Sequence, residues 1–463
     1  MTSAARPHAR IAVIGGGAAG ITAMKELIER GVDAVGFEKG DRVGGLWVYE
    51  NTSGVSPAYE SLHLNTSKGR TEFADFPMPE EWEDYPSAVK VAGYLQDYAD
   101  TFGVTERYLF DTAIESVDRT EDGWLLTTDQ GEEFDFDGVI VANGHNWDPR
   151  WPEPGYPGTF VGTQMHAHDY RKAETFRGKR VLVVGMGNSA MDIAVDASYV
   201  ADDVMLSARH GSFIVPKYLF GKPADATNGA LSVLPWRVRQ VIAQRMLSLA
   251  IGTPESYGLP KPSFGLFQNH PTISDTILHR ITHGEVRPMP GIERFDGERV
   301  IFTDGSVHDV DIIVWATGYR VTIPFLDEEW LGTDPEAMPL YHRVFHTEDP
   351  SLTFVGLMQS TGAALPVVEV QSKLAAAYYA GQYALPTTTM QKSAIRRAHR
   401  SAVERWGQKR PMMRIDFDAF ISDSARELRF GRYRMERGKK IFAPTRRSDG
   451  SVTSARSRVR LSA

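Results

Sequence analysis

The residues of this chain whose types and spacing could do chemistry begin with a glycine loop near the N-terminus. The sequence GGGAAG, residues 15–20, follows the apolar run Arg10–Ile14 and opens a helical pattern of apolar residues. A glycine loop between a strand and a helix leaves backbone N–H groups and the positive helix end free for a pyrophosphate. The candidate cofactor-binding residues of this loop are Gly15, Gly17, Ala18, Ala19 and Gly20.

A carboxylate completes this loop motif. Glu38 ends the next apolar run after the loop, where its oxygens can accept hydrogen bonds from both ribose hydroxyls of a dinucleotide. A surface carboxylate at a strand end is the alternative. Further on, a glycine pair precedes Leu46 and Trp47, so the backbone can approach closely and the indole offers a flat apolar wall. Gly45, Leu46 and Trp47 are therefore candidates, although a glycine turn before a core tryptophan would look the same.

A second glycine loop lies further along the chain. Residues 185–190, GMGNSA, follow the apolar residues 181–184 and lead into another helical pattern. Alone, this GxGxxA would fit a plain strand-to-helix turn equally well, because glycine occurs wherever backbones pack closely. Together with the first loop, it predicts that one polypeptide holds two dinucleotides. The candidates here are Gly185, Gly187, Asn188 and Ser189.

Each glycine loop has a later counterpart at nearly the same spacing. Residues 136–145, FDGVIVANGH, and residues 310–319, VDIIVWATGY, are apolar runs that end in small residues and glycine. The interval from Gly15 to Gly144 is nearly equal to the interval from Gly185 to Gly318. This repetition predicts an α/β fold with two Rossmann-like dinucleotide-binding domains, the second inserted in the first. Ala316, Thr317 and Gly318 join the cofactor-binding candidates.

The predicted domain boundaries follow from this nesting. Residues 1–155 and 310–444 form the first domain, residues 156–309 form the second, and residues 445–463, rich in arginine and serine, form a disordered basic tail. Residues from about 212 to 290 look like a helical insertion in the second domain. Apolar residues of this insertion repeat at helical spacing and predict a packed helix, with contact to a membrane surface as the alternative. They are Val238, Val241, Ile242, Met246 and Leu249.

Composition excludes several classes of function. The formal net charge of -8 over 463 residues argues against nucleic acid as the main partner. Zero cysteines exclude disulfides, thiolate metal sites and a redox-active cysteine pair, and no metal site is predicted. No apolar run approaches the roughly 18 residues of a membrane span, and the N-terminus has no apolar signal core. We therefore expect a cytoplasmic protein without a membrane span, and a homodimer is compatible with the sequence.

Three segments resemble the flavin-containing monooxygenases of class B. They are EKGDRVGGLWVYE (38–50), SLHLNTSK (61–68) and DFPMP (75–79). The resemblance implies that the first domain binds FAD and that the inserted domain binds NADPH. It also implies that Asn65 lies beside the flavin ring as the catalytic residue, with His63 and Thr66 close to the cofactor. From the sequence alone, Asn65 could equally be a turn residue, and His63 also fits a structural histidine.

The segment between the two domains fits FxGxxxHxxxY, the fingerprint of this family. It covers residues 160–170 and places His166 at the histidine position. The resemblance implies that His166 links the domains and holds the nicotinamide cofactor in place, without transferring a proton. The related Baeyer–Villiger monooxygenases usually carry tryptophan where this chain has Tyr170.

Two further segments match the family in part. Members of the family bind the 2′-phosphate of NADPH with Ser-x-Arg-Arg, and this chain has Ser207 and Arg209 followed by His210. A guanidinium can bind phosphate through two parallel hydrogen bonds, whereas an imidazole is mostly neutral at pH 7. The sequence therefore predicts NADPH with some tolerance of NADH. Gln359 begins the sequence QSTG, which we expect to open a helix N-terminus suited to contacts with the flavin cofactor.

The implied function is an FAD- and NADPH-dependent monooxygenation. Hydride passes from NADPH to FAD, and the reduced flavin reacts with O2 to form a C4a-hydroperoxide. This species oxygenates soft nitrogen or sulfur, giving the N-oxide or S-oxide of a small amine or thioether. The alternatives are Baeyer–Villiger oxygenation of ketones and a non-enzymatic nucleotide-binding sensor. A disulfide reductase has the same two-nucleotide plan, but the absence of cysteine excludes it.

Overall fold

The computed structural model describes residues 9–225, 235–269, 271–408, 410–438 and 442. Within these residues the chain forms two five-stranded sheets, and every neighbouring pair of strands in both sheets is parallel. The predicted α/β fold with two Rossmann-like domains is confirmed. The predicted basic tail, residues 445–463, lies outside the described residues.

The first sheet is centred on the strand that precedes the first glycine loop. In spatial order its strands are Leu352–Phe354, Gly138–Val141, Arg10–Ile14, Asp33–Phe37 and Tyr108–Leu109. Residues 11–14 of the central strand are buried, because both faces of a parallel sheet are covered by other elements. Ile14 lies opposite Phe37 on one side and Val141 on the other. The first glycine loop therefore leaves the sheet at its carboxyl edge, between two buried strands.

The second sheet repeats this order around the strand before the second glycine loop, except that its edge strand Thr163–His166 precedes the central strand in the chain. Its strands, in the matching direction, are Thr163–His166, Ile312–Trp315, Arg180–Val184, Asp203–Ser207 and Arg287–Met289. Each unit also carries a three-stranded antiparallel sheet. In the chain it follows Tyr108–Leu109 and precedes Gly138–Val141 in the first unit, and it follows Arg287–Met289 and precedes Ile312–Trp315 in the second. In the first unit these strands are Ile114–Arg119, Trp124–Thr128 and Glu133–Phe136; in the second they are Ile292–Asp296, Arg299–Phe302 and Val307–Asp309.

Helices cover the faces of both sheets. The helix after the first glycine loop, Ala18–Glu29, packs against Leu365–Tyr379, and the helix after the second loop is Asn188–Ala197. The other α-helices are Lys68–Thr71, Ala88–Thr101, Trp236–Ile251, Ile277–Thr282, Glu328–Leu331, Thr388–Trp406 and Phe417–Glu436. The 3-10 turns are Gly45–Trp47, Thr105–Arg107, Ala173–Phe176, Pro254–Tyr257 and Pro335–Ala337. Among the described residues, no helix is long and apolar enough to cross a membrane.

The predicted domain boundary at residue 310 is wrong. Ile312–Trp315 pairs with residues 181–184, so this strand belongs to the sheet of the inserted unit. An apolar run predicts a strand but does not identify its partner, which is set by the tertiary register. The chain then passes Tyr319–Arg320, which pairs with Asp148–Pro149 at the junction of the units. The first unit therefore resumes only after this pair, later than predicted.

The insertion is shorter and less helical than predicted. Arg287–Met289 is an edge strand of the second sheet, so the insertion ends before it. The described part of the insertion holds one long helix, Trp236–Ile251, together with short helices and the strand pairs Ile214–Val215 with Thr272–Ile273 and Tyr218–Leu219 with Lys222–Pro223.

The apolar face of this long helix is not packed as predicted. All residues of the helix are described, and Leu247 is its only buried residue. Ile242 is half-buried. The exposed apolar residues are Val238, Val241, Met246 and Leu249. The spacing thus predicted the helix correctly, but the packed side depends on which elements lie beside it in the fold.

Close packing between the first glycine loop and its helix depends on Gly20. A Cβ atom at this position would lie 1.7 Å from the carbonyl oxygen of Gly15. The same Cβ would lie 2.7 Å from the hydroxyl oxygen of Tyr108. The helix therefore lies directly on the loop, and glycine is required for this approach.

We predict that Gly20→Ala destabilises the protein by about 1–3 kcal/mol or more, because the new methyl group overpacks backbone atoms. Gly93→Ala is the matched control, since Gly93 is helical and exposed and an added Cβ would have no described atom within 4 Å. That variant should gain about 0.5–1 kcal/mol, because alanine is the better helix former. Thermal unfolding followed by tryptophan fluorescence measures both variants. Equal effects of the two substitutions would contradict the packing argument.

Candidate active site at the junction of the two units

The first glycine loop forms a backbone cradle with the glycine pair Gly44–Gly45 of the same unit. Gly15 has a φ of +106°, and a Cβ there would lie 2.5 Å from the carbonyl oxygen of Ala142. Gly17 is the N-cap residue of the helix Ala18–Glu29. Because it is a glycine, it has no side chain to cap the first turn of this helix. A Cβ at Gly45 would lie 2.8 Å from the Cα atom of Gly17. The free N–H groups of this narrow cradle suit a pyrophosphate.

Glu38 lies beside this cradle, against Gly16. Its carboxylate accepts hydrogen bonds from the N–H of Gly16 at 2.5 Å and the N–H of Gly40 at 2.7 Å. The residue is 7% exposed, and burial raises its pKa, while the two backbone donors act in the opposite direction. Each carboxylate oxygen keeps a second lone pair. The residues present therefore fit the ribose hydroxyls of a dinucleotide.

The second glycine loop is built in the same way. A Cβ at Gly185 would lie 2.5 Å from the carbonyl oxygen of Ala316, whereas a Cβ at Gly187 would meet no described atom within 4 Å. The side-chain oxygen of Asn188 accepts a hydrogen bond from the N–H of Ile273 at 2.8 Å, which ties the loop to the insertion. Ser189 follows in the first helical turn, which has no Ncap side-chain bond. The open side of this loop thus also fits a pyrophosphate.

A cavity of about 540 Å³ extends from the second loop to the end of the next strand. Ser207, Arg209 and His210 line it beside Gly185. Arg209 is exposed, and its guanidinium makes no hydrogen bond or ion pair with another described residue. The hydroxyl of Ser207 donates to the carbonyl oxygen of Pro290 at 2.6 Å. Arg209 is therefore available to an anion in this cavity, while the hydroxyl of Ser207 is already engaged.

The candidates Ala316, Thr317 and Gly318 join the second sheet to the segment between the units. The N–H of Ala316 donates to the carbonyl oxygen of Val184 at 2.9 Å. The hydroxyl of Thr317 donates to the carbonyl oxygen of Arg150, whose own N–H donates to the carbonyl oxygen of Gly318 at 2.9 Å. Thr317 and Arg150 both line the 540 Å³ cavity. These residues therefore position one wall of that cavity.

A larger cavity, of about 760 Å³, brings candidate residues of both units together, and we call it the Asn65 cavity. Asn65, Thr66 and Trp47 of the first unit line it together with Asn188 of the second. The amide of Asn65 makes no hydrogen bond with another described side chain. Most other lining residues are apolar, among them Leu46, Leu64, Val215, Leu219, Leu266, Phe267 and Ile273. A free amide in an apolar cavity can orient a reacting group.

Two candidate residues lie elsewhere. His63 is exposed, its Nδ1 is 2.8 Å from the carbonyl oxygen of Ser61, and it does not line the Asn65 cavity. The expected helix start at Gln359 is not found, because Gln359–Ser360 is a short strand parallel to Arg414–Ile415 and the next helix begins at Leu365. The cofactor contact of Gln359 stays a prediction. The strand partner of Gln359 is distant in the chain, so the local sequence could not reveal it.

The histidine and the tyrosine of the fingerprint segment are both buried. His166 is fully buried, and its Nδ1 accepts a hydrogen bond from the N–H of His168 at 3.0 Å. Burial lowers the pKa of His166 to about 4, so the ring is neutral at pH 7. Tyr170 is also fully buried, stacks on Phe176 and donates its hydroxyl to Asp196 at 2.7 Å. A neutral, buried His166 fits a structural role better than proton transfer.

Two carboxylates that sequence reasoning missed connect the helix of the second loop to the segment leading to Asn65. Asp192 accepts a hydrogen bond from the hydroxyl of Tyr59 at 2.6 Å. Asp196 accepts from the hydroxyls of both Ser61 and Tyr170. Burial raises the pKa of Asp192 to about 6 and also raises that of Asp196. The available signal was their i, i+4 spacing on one helix face.

The chain is similar to flavin-dependent oxygenases over most of its length. The family model described as flavin-binding monooxygenase-like matches residues 8–429. Flavin-containing monooxygenase 5 of Rattus norvegicus is 33% identical over 419 residues, which cover 86% of this chain and 78% of that protein. The N-oxide-forming dimethylaniline monooxygenase 2 of Rattus norvegicus is 30% identical over 442 residues, covering 90% of this chain and 82% of that protein.

Solved structures share the architecture. The S-allyl-L-cysteine S-oxygenase from Allium sativum matches with a TM-score of 0.68 and 25% identity, over 94% of this chain and 90% of that chain. Closed cyclohexanone monooxygenase matches with a TM-score of 0.71 and 19% identity, over 95% of this chain and 100% of that chain, a likeness of fold alone. The chain, with its two glycine-loop cradles, belongs to the flavin-binding monooxygenase-like family and is an FAD- and NADPH-dependent monooxygenase.

Proposed function

We propose that oxygenation occurs in the Asn65 cavity, with FAD bound by the first unit and NADPH by the second. The observation that carries this proposal is that residues of both cradles line this one cavity. Trp47 follows the Gly45 turn of the first cradle, and Asn188 belongs to the second glycine loop. Two cofactors anchored in these cradles can therefore bring their reactive ends to one space, where Asn65 lies.

Each candidate residue has a role in this proposal. The two glycine loops bind the pyrophosphates, Glu38 binds the ribose of FAD, and Arg209 binds the 2′-phosphate of NADPH. Bound FAD supplies the acceptance of hydride and the activation of O2. The apolar wall excludes water, and the free amide of Asn65 holds the reacting groups by a hydrogen bond. A soft nitrogen or sulfur atom needs no general base to react, which agrees with the lowered pKa of His166, since a group of low pKa is a weak base.

The domain assignment follows the corrected strands. We assign residues 1–155 and about 320–444 to the FAD domain and residues 156 to about 319 to the NADPH domain, because Ile312–Trp315 lies in the second sheet. The cytoplasmic location and the homodimer stay predictions from the sequence.

Oxygen uptake by the wild-type enzyme tests the proposed function. With NADPH, amines and thioethers should stimulate uptake and be converted to N-oxides or S-oxides, since their lone pairs react with an electrophilic oxygen. The names of two similar proteins, an N-oxide-forming and an S-oxygenating enzyme, support both substrate classes. Esters formed from ketones as the main products would indicate Baeyer–Villiger oxygenation instead. Cofactor binding without NADPH consumption would indicate a sensor.

We predict that Arg209→Ala lowers kcat/KM for NADPH by about 10- to 150-fold, the effect of losing a charge-assisted hydrogen bond of roughly 1.5–3 kcal/mol. NADH lacks the 2′-phosphate, so its kcat/KM should change little. Arg429→Ala is the matched control, because Arg429 is exposed on the C-terminal helix and does not line the 540 Å³ cavity. Steady-state kinetics with both cofactors give the comparison. Equal losses for NADPH and NADH would refute the assignment.

We predict that Asn65→Ala separates the two half-reactions. Anaerobic reduction of FAD by NADPH should persist, while the ratio of released hydrogen peroxide to oxygenated product rises about tenfold, because a hydrogen bond in a dry site is lost. Asn146→Ala, at an exposed asparagine, is the control. Peroxide and oxygenated product are assayed in parallel with a good substrate. Unchanged coupling would leave Asn65 as a turn residue.

A further inference from the structure

A lysine that the proposed chemistry does not use lies in the wall of the Asn65 cavity. Lys217 lies between the short strands Ile214–Val215 and Tyr218–Leu219 of the insertion, and it lines the cavity together with Asn65. The neighbouring wall residues are mostly apolar. Lys222 and Asp225 line the same cavity, so Lys217 is one of three charged residues in a mostly apolar wall, and such polar groups determine which ligand a cavity binds.

The backbone of Lys217 is held at three points. Its N–H donates to the carboxylate of Asp275 at 2.8 Å. Its carbonyl oxygen accepts from the hydroxyl of Tyr85 at 2.6 Å and from the N–H of Ala224 at 2.8 Å. These bonds fix the origin of the side chain relative to both the first unit and the insertion. Lys217 is therefore a positioned cation, unlike a lysine on a free surface.

The ammonium of Lys217 has no anionic partner. Its Nζ atom lies over the ring of Tyr85, 5.0 Å from the centroid, and makes no hydrogen bond or ion pair with another described residue. Burial lowers its pKa, and the more distant charges of Asp192 and Asp275 only partly oppose this effect. Asp225, also in the cavity wall, uses one carboxylate oxygen to accept from the N–H and hydroxyl of Ser67.

A buried lysine with a structural role looks different in this protein. The ammonium of Lys25 contacts the carboxylates of Glu26, Glu29 and Asp75, and hydrogen bonds and charges from them raise its pKa despite burial. Lys217 has the opposite shift because such partners are missing. A partly desolvated cation without a partner lowers the stability of the fold, and an incoming anion removes this penalty.

We propose that Lys217 binds a carboxylate carried by the substrate, so that the preferred substrates are anionic thioethers or amines in which a chain separates the reacting atom from the carboxylate. This inference rests on the proposed function, since it places the substrate in the Asn65 cavity. The pyrophosphate of NADPH is the other anion that an ammonium group can bind here, because Asn188 of the second glycine loop also lines the cavity. The two sources give different results in the test below.

The test compares methylthio-alkanoates of increasing chain length with their uncharged primary amides. Calorimetry on the oxidised holoenzyme with NADP+ measures binding, and product formation gives kcat/KM. At the best chain length the wild-type enzyme should prefer the carboxylate by about tenfold or more in both measurements. In Lys217→Met, binding and kcat/KM of the carboxylate should fall roughly 10- to 100-fold, so that the ratio to the amide approaches one.

Lys392→Met is the matched control, because Lys392 is an exposed lysine paired with Glu348 and lies outside the cavity. It should keep the wild-type ratio of carboxylate to amide. A wild-type enzyme without carboxylate preference at every chain length, or a preference that survives in Lys217→Met, overturns the inference. A rise in the KM of NADPH in Lys217→Met with an unchanged substrate ratio also overturns it and assigns Lys217 to the cofactor.

Failure of the proposed function gives a different pattern. If neither the amides nor the carboxylates are oxygenated while NADPH still reduces the flavin, the proposed reaction is wrong. Calorimetry then still decides the role of Lys217, because binding of the carboxylate does not depend on turnover. Loss of carboxylate binding in Lys217→Met supports the anion site, and equal binding by both proteins overturns it.

Discussion

The hydrogen bonds accepted by Asp192 and Asp196 are the constraint on which the active site depends. They hold the helix of the second glycine loop against the segment that leads to Asn65, through Tyr59 and Ser61. Hydroxyl donors bring no positive charge, so these partly buried carboxylates stay costly, as the raised pKa of Asp192 shows. Their geometry nevertheless fixes how the second glycine loop lies relative to Asn65. The fingerprint tyrosine contributes by donating to the same carboxylate as Ser61.

The Asn65 cavity arises from repetition of one folding unit. In each unit, a long connection leaves the five-stranded sheet after the strand that follows the glycine-loop helix. It ends at the neighbouring edge strand, Tyr108–Leu109 in the first unit and Arg287–Met289 in the second. In the first unit this connection, residues 38–107, carries Trp47 and Asn65. In the second it carries Val215 and Lys217. The two connections face each other because both begin at the carboxyl edge of a parallel sheet, where ligands of such sheets bind. One architecture thus supplies both cofactor cradles and both walls of the cavity.

Several cations of the fold are paired with carboxylates, whereas one cation in each of the two cavities is not. Lys25 has several carboxylates around it, and Arg410 is bonded to Glu336. Arg209 and Lys217 have no such partner among the described residues, and each lines a cavity. An unpaired cation contributes little to stability, so its position is better explained by binding. Each of the two cavities therefore offers an unpaired cation to a ligand.

By itself, the sequence determined the glycine loops, the carboxylate Glu38, the repeated spacing between each glycine loop and its later apolar run, and the nesting of two α/β units. These features are local, since glycine positions and apolar spacing specify a strand, a tight turn and a helix within one short stretch of chain. Only the tertiary structure decided that Ile312–Trp315 joins the second sheet and that Gln359 lies in a strand. The exposed apolar side of the helix Trp236–Ile251 and the carboxylate contacts of Tyr59 and Ser61 were decided there as well. Each of these depends on partners distant in the chain, and neither apolar periodicity nor residue type records which distant segments meet.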